Sequence, residues 1–154
     1  MDFTFQVLNN TRGIFKKIIE NNALEDLNKI PKGFNNNIIW NIGHVLVTEQ
    51  LLAYKLSGLE TAISEDLITT YRKDTKPQGN LNQAGVDEIK GLLVSTVEKT
   101  KENYYDGIFQ NYNAYTVSTT GNTLSNIDEA LQFIAIHEGL HYGYVLALLK
   151  AIKN

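Results

Sequence analysis

Apolar residues recur with a helical period in four long segments, and polar, glycine-bearing stretches separate them. The first predicted helix runs from Thr4 to Asn21, with Phe5, Leu8, Ile14, Phe15, Ile18 and Ile19 supplying its apolar side. Gly13 in its middle costs about 1 kcal/mol against alanine. Asn21 and Asn22, then Pro31 and Gly33, mark its exit. The second helix is expected from Asn36, where three consecutive asparagines offer N-caps, to Gly58, a suitable residue just past a helix end. One apolar line, Ile38, Ile42, Val45, Leu52 and Leu56, is interrupted by Glu49. Another, Trp40, His44, Val47 and Leu51, lies on a different face. A helix that is apolar on two faces packs between neighbours inside a bundle.

The pattern weakens from Leu59 to Gly85, where Ser64 to Thr70 predicts one short helix within a long connection. A third long helix, Val86 to Gln110, carries Ile89, Leu92, Leu93, Val97 and Tyr104. A polar stretch follows, and the fourth helix starts at Asn126, with Glu129 three residues on as a capping-box partner, and continues to Ile152. Ala114 to Thr119 is the only weak candidate for a strand. The economical architecture is all-α: a four-helix bundle of up-down type, with a long connection between the second and third helices.

Composition narrows the chemistry. The 154 residues fit one domain spanning 1–154, with an ordinary 43% hydrophobic and 20% charged residues. Net charge is -3 from 14 basic and 17 acidic residues, without a basic stripe, so a nucleic-acid partner is not expected. The absence of cysteine excludes thiolate catalysis and cysteine-ligated zinc by this chain itself. No apolar run approaches the roughly 20 residues of a membrane span, and the first residues lack a signal-peptide pattern. A cytoplasmic protein without a membrane partner is the expectation.

Three histidines stand out. His137 and His141 lie one turn apart on the apolar face of the fourth helix, between Ile134 and Val145. His44 sits mid-helix among Trp40, Val47 and Leu51. A single inward histidine reads as a core residue satisfied by one hydrogen bond. For three that all turn inward from two helices, one shared divalent metal ion is the simpler account. Bundle cores build such sites from facing helices, and three imidazoles leave a coordination position open for water or substrate. The residues alone leave the metal open among Zn, Ni, Cu and Fe.

His137-Glu138-Gly139-Leu140-His141 also matches H-E-x-x-H, in which two histidines hold zinc and the glutamate is the general base of a peptidase. The extended metzincin form requires Gly and His where Tyr144 and Ala147 stand. No edge strand is expected to hold an extended peptide either. Glu138 is left with two readings: a helix-surface carboxylate, or a catalytic base that takes a proton from metal-bound water or thiol.

With these residues assembled, the chain resembles the DinB-like superfamily of metal-binding four-helix bundles. The marks are Trp40-Asn41-Ile42-Gly43-His44 in the second helix and His137-Glu138-Gly139-Leu140-His141-Tyr142-Gly143 in the last. Tyr71 to Pro77 resembles the connection in one branch of that family. The resemblance covers nearly the whole chain. It implies a zinc or nickel site made by His44, His137 and His141, and often a homodimer. Its characterised members include transferases that add low-molecular-weight thiols such as bacillithiol to electrophiles, and a mycothiol-dependent maleylpyruvate isomerase. The thiol would be a cosubstrate, so the protein itself needs no cysteine; with water in its place the same site would be a hydrolase of small molecules. A non-catalytic metal-binding or stress-response bundle is the alternative, and a sealed rather than open site would favour it.

Other positions carry two readings each. Arg72, with Lys73 and Lys76, is either a solvated loop face or a substrate-binding cluster for carboxylates. Trp40 is a core residue or a substrate wall. Asn41 and Glu49, polar inside the second helix, suit partners that orient a metal-bound imidazole. Tyr112 and Tyr115 are candidates for the site mouth.

Overall fold

The computed structural model describes residues 1–153. Four long helices carry the molecule: α1 (Asp2–Glu20), α3 (Ile38–Gln50), α5 (Gln83–Tyr105) and α6 (Ile127–Ile152). The short helices α2 (Leu24–Asn28) and α4 (Glu65–Tyr71) lie in the connections around α3. Two-residue strands β1 (Tyr115–Thr116) and β2 (Thr123–Leu124) form a small antiparallel hairpin before α6, with Tyr115 opposite Leu124. The fold is thus all-helical apart from this hairpin. Among the described residues no helix is long and apolar enough to cross a membrane.

Local chemistry sets the helix ends. The side chains of Asn37, Ser64, Asn82 and Asn126 each accept a backbone N–H from the first turn of the helix that follows. Glu129 completes the start of α6 by accepting the Ser125 N–H at 2.6 Å. The third long helix stops at Tyr105 rather than Gln110, because Gly107 turns the chain into the left-handed region at φ 70. Beyond Gln50, α3 continues as a π-helical turn over Leu51–Lys55, and the positive φ of Gly58 ends it.

In the bundle α1 packs against α5 and α6, and α3 packs against the same two, so α1 and α3 sit on a diagonal. Contacts fix the directions. Phe5 meets Tyr104 and Tyr105 while Arg12 reaches Leu93, so α5 runs opposite to α1. Glu49 meets Thr100 and Tyr54 meets Asn103, so α3 and α5 run the same way. The long connection between them carries the chain back to the starting end. Arg12 meets Glu138 and Phe15 meets Tyr142, so α1 and α6 also run the same way, and two of the four packed pairs depart from the expected antiparallel neighbours.

The core has two apolar halves. One gathers Phe15, Ile19, Ile42, Val45, Ile89 and Val145; the other gathers Phe5, Leu8, Leu52, Val97, Leu131 and Ile134. A buried polar layer lies between them, containing Arg12, Glu49, Glu138 and Thr100. The three histidines stand beside that layer.

Candidate metal centre

His44 comes from α3 and His137 and His141 from successive turns of α6. Their ring centroids are 5.1 Å (His44–His137), 4.8 Å (His44–His141) and 4.5 Å (His137–His141) apart. One ligand atom from each lies within 4.8 Å of the others, so the three can hold a single metal ion. Burial pushes all three imidazoles toward the neutral form. His137 falls to about 3 through burial and its two histidine neighbours, His141 to about 4 through burial and His44. His44 is lowered by burial, opposed by its bond to Tyr71. Neutral rings keep the lone pairs that a metal requires.

Two of the rings are oriented by hydrogen bonds. His44 Nδ1 lies 2.7 Å from the Tyr71 carbonyl oxygen, and His141 Nδ1 lies 2.9 Å from Asn41 Oδ1. Both acceptors call for N–H at Nδ1, which leaves each Nε2 with its lone pair. Asn41 is itself fixed, because its Nδ2 donates to the Asn37 carbonyl at 2.7 Å and to Asn36 Oδ1 at 3.0 Å. Trp40 stacks on His44, with ring centroids 5.0 Å apart and planes 8° from parallel. Among the described residues, His137 Nδ1 is the one imidazole nitrogen that is buried without a hydrogen bond; the indole Nε1 of Trp40, behind His44, is buried and unpartnered as well. An orphaned nitrogen beside two oriented, neutral imidazoles fits a metal ion.

Gly43 makes this geometry possible. A Cβ at that position would lie 2.6 Å from the Tyr71 ring, whose own carbonyl holds His44. Overpacking of this kind costs about 1–3 kcal/mol, while alanine returns up to about 1 kcal/mol of helix propensity. Gly43→Ala is therefore expected to lower stability by about 1–2 kcal/mol in denaturant unfolding. It should also weaken binding of a divalent metal by about 10- to 100-fold in a competitive chelator titration, the usual effect of losing a partner that orients a ligand. Unchanged metal affinity would show that the Tyr71 carbonyl does not position His44.

The histidines form the floor of a cavity of about 380 Å³. The α3 face that carries His44 continues upward through Thr48, Leu51, Leu52 and Lys55, and the π turn brings the last three onto the cavity wall. Leu140 and Phe133 of α6 face them, and Tyr115, Val117, Ser118 and Thr119 of the hairpin region close the side. Thr48 Oγ1 is 3.4 Å from His44 Nε2 and places a hydroxyl beside the floor.

The other candidates fall in various places. Lys73, not Arg72, lines the cavity; Arg72 is exposed at the end of α4. Tyr115 lines it, whereas Tyr112 packs beneath, donating its hydroxyl to the Leu52 carbonyl at 3.0 Å. Trp40 is buried behind His44 and borders a second, smaller cavity of about 270 Å³. Glu138 is no surface carboxylate. It is 1% exposed, and its Oε1 accepts the Arg12 Nε–H at 2.7 Å, away from the cavity lining. Glu49 accepts from Arg12 at 3.3 Å and from Thr100 at 2.5 Å, so it holds the polar layer and does not touch a histidine. Sequence reasoning missed Arg12, Thr48 and Lys55. Each carried a signal: Arg12 falls in the Phe5–Leu8–Phe15–Ile19 stripe, and Thr48 and Lys55 share the helical face of His44.

A family model of the DinB superfamily matches residues 8–145 of the chain. The chain belongs to the DinB superfamily. The match takes in both halves of the histidine cluster, and the helical bundle around it is the DinB fold. Among curated proteins, none matches this DinB chain in sequence.

Proposed function

We propose that this DinB protein is a metal-dependent enzyme, in which His44, His137 and His141 hold one zinc or nickel ion and a small-molecule substrate enters from the cavity above. The preferred reaction is transfer of a low-molecular-weight thiol to an electrophile; hydrolysis of a small substrate is the variant with water in place of thiol. One observation carries the reading: three neutral imidazoles converge at the floor of an open cavity rather than in a sealed core. A sealed site would have favoured the non-catalytic bundle.

Bound there, a divalent ion supplies a thiol or water of lowered pKa, a nucleophile available near neutral pH. The residues of the chain do the rest. Asn41 and the Tyr71 carbonyl orient two rings, Leu51, Leu52 and Phe133 exclude water, and Thr48 Oγ1 offers a hydroxyl at the floor. Glu138 is engaged by Arg12 outside the cavity lining, which gives no support to the peptidase mechanism. The proposal includes assembly as a homodimer, for which Ile136, Leu140 and Tyr144, exposed and spaced four apart on α6, offer an apolar face.

The test is turnover of epoxide and halogenated electrophiles by zinc- or nickel-loaded protein, using bacillithiol, mycothiol and simpler thiols, alongside ester hydrolysis. Wild type is expected to turn over one of these, and His141→Ala none. Inactivity of the fully loaded protein across the whole panel would overturn the enzyme reading.

A further inference from the structure

We infer that the cavity above the histidines selects an apolar-bodied anion, a small molecule with a hydrocarbon stem and a carboxylate, whose charge is met by Lys55 and Lys73. This rests on the proposed reading only in taking the same cavity as the binding site. Three features of the lining carry it. Its walls are mainly Leu51, Leu52, Leu56, Val117, Phe133 and Leu140, which suit a hydrocarbon stem. No aspartate or glutamate lines it, while two lysines do. Its hydroxyls, on Thr48, Tyr115, Ser118 and Thr119, are neutral, which leaves the two lysines as the charge that meets an anion.

Both lysines are free to serve. Lys55 is exposed and, among the described residues, has no carboxylate within ion-pair distance. Lys73 has only Asp74 at 3.9 Å, with both side chains more than half exposed, so that pair is weak and screened. The two come from separate elements, the π turn of α3 and the loop after α4, and both line the one cavity.

Octanoate, octanol and octylamine serve as probes in calorimetric titrations of wild type and K55A/K73A, each both zinc-loaded and stripped with chelator. Octanoate is expected to bind wild type more tightly than the other two, in both forms. K55A/K73A should weaken octanoate by about fivefold, the combined effect of two exposed charge contacts, and leave octanol unchanged. Equal binding of the three probes, octanoate binding indifferent to the lysines with or without zinc, or no octanoate binding in either form would each overturn the inference. Failure to take up zinc, with lysine-dependent octanoate binding retained, would instead sink the metal reading alone.

Discussion

Arg12→Met is expected to remove about 3–5 kcal/mol of folding stability, the penalty for stranding buried charge when one partner of a buried ion pair is deleted. The Arg12 side chain is fully buried and ties all four long helices together. From α1 it donates to Glu138 of α6 at 2.7 Å and to Glu49 of α3 at 3.3 Å, and also to the carbonyls of Leu93 at 3.2 Å and Val45 at 3.4 Å. Methionine fills much of the volume but returns none of these bonds, so two carboxylates and two carbonyls lose their donor in a low-dielectric layer. Burial already raises Glu138 to about 7, against the opposing pull of Arg12. A raised carboxyl contributes stability that is present below about 4.5 and lost as pH rises through about 7. The defect of Arg12→Met should therefore be larger at pH 8 than at pH 6, where protonating Glu138 removes one stranded charge. Urea unfolding followed by circular dichroism at the two pH values measures this. A loss below about 1 kcal/mol would mean that the layer is hydrated or rearranges freely. Adding Glu49→Gln and Glu138→Gln to Arg12→Met should recover part of the loss, because no charge then remains without a partner.

The same residues show where sequence reading succeeds and where it stops. The histidine cluster was legible because a four-residue spacing on α6 fixes two side chains on one face, and the apolar positions around His44 turn it inward. The starts of α3 and α6 were legible because Asn37 and Asn126 advertise their caps. The Arg12–Glu49–Glu138 layer was not read, although each of its members interrupts an apolar stripe; a charge on a helix face looks solvated until its partners on other helices are known. Helix direction was hidden for a similar reason. Periodicity gives the length and buried face of α3 and α5 but not that they run parallel, which depends on how the 59–82 connection crosses. Helix α2 is five residues long, too short to display a period, and the π turn at Leu51–Lys55 has the same apolar pattern as the α-helix it extends. The cavity wall follows from that turn and from the hairpin, so Ser118 emerged only in three dimensions, whereas Lys55 could have been read from the face it shares with His44.

Zinc is expected to stabilise the wild-type protein at pH 7.5 by about 2.7 kcal/mol when the free ion stands at 100 times its dissociation constant, and to leave His141→Ala unmoved. Folding without metal places three imidazoles where burial opposes their protonation, His137 down to about 3 and His141 to about 4. In the unfolded chain they titrate near 6.5. Groups with depressed folded values contribute stability that is complete above about pH 6.5 and lost as pH falls through the folded values. Metal-free wild type should accordingly weaken on acidification from about pH 6.5 toward pH 4, against the smaller opposite trend of the single carboxyl Glu138. Protons and metal compete for the same lone pairs, so the zinc increment should shrink over the same acid range. His141→Ala removes one of the titrating rings and one ligand together. It should flatten the acid limb of the metal-free protein and abolish the zinc increment, two effects that a purely structural histidine would not couple. Thermal unfolding of both proteins from pH 4.5 to 8, with and without zinc, reads all of this in one experiment. An equal zinc increment in wild type and His141→Ala would place any zinc elsewhere on the molecule and return the three histidines to the core.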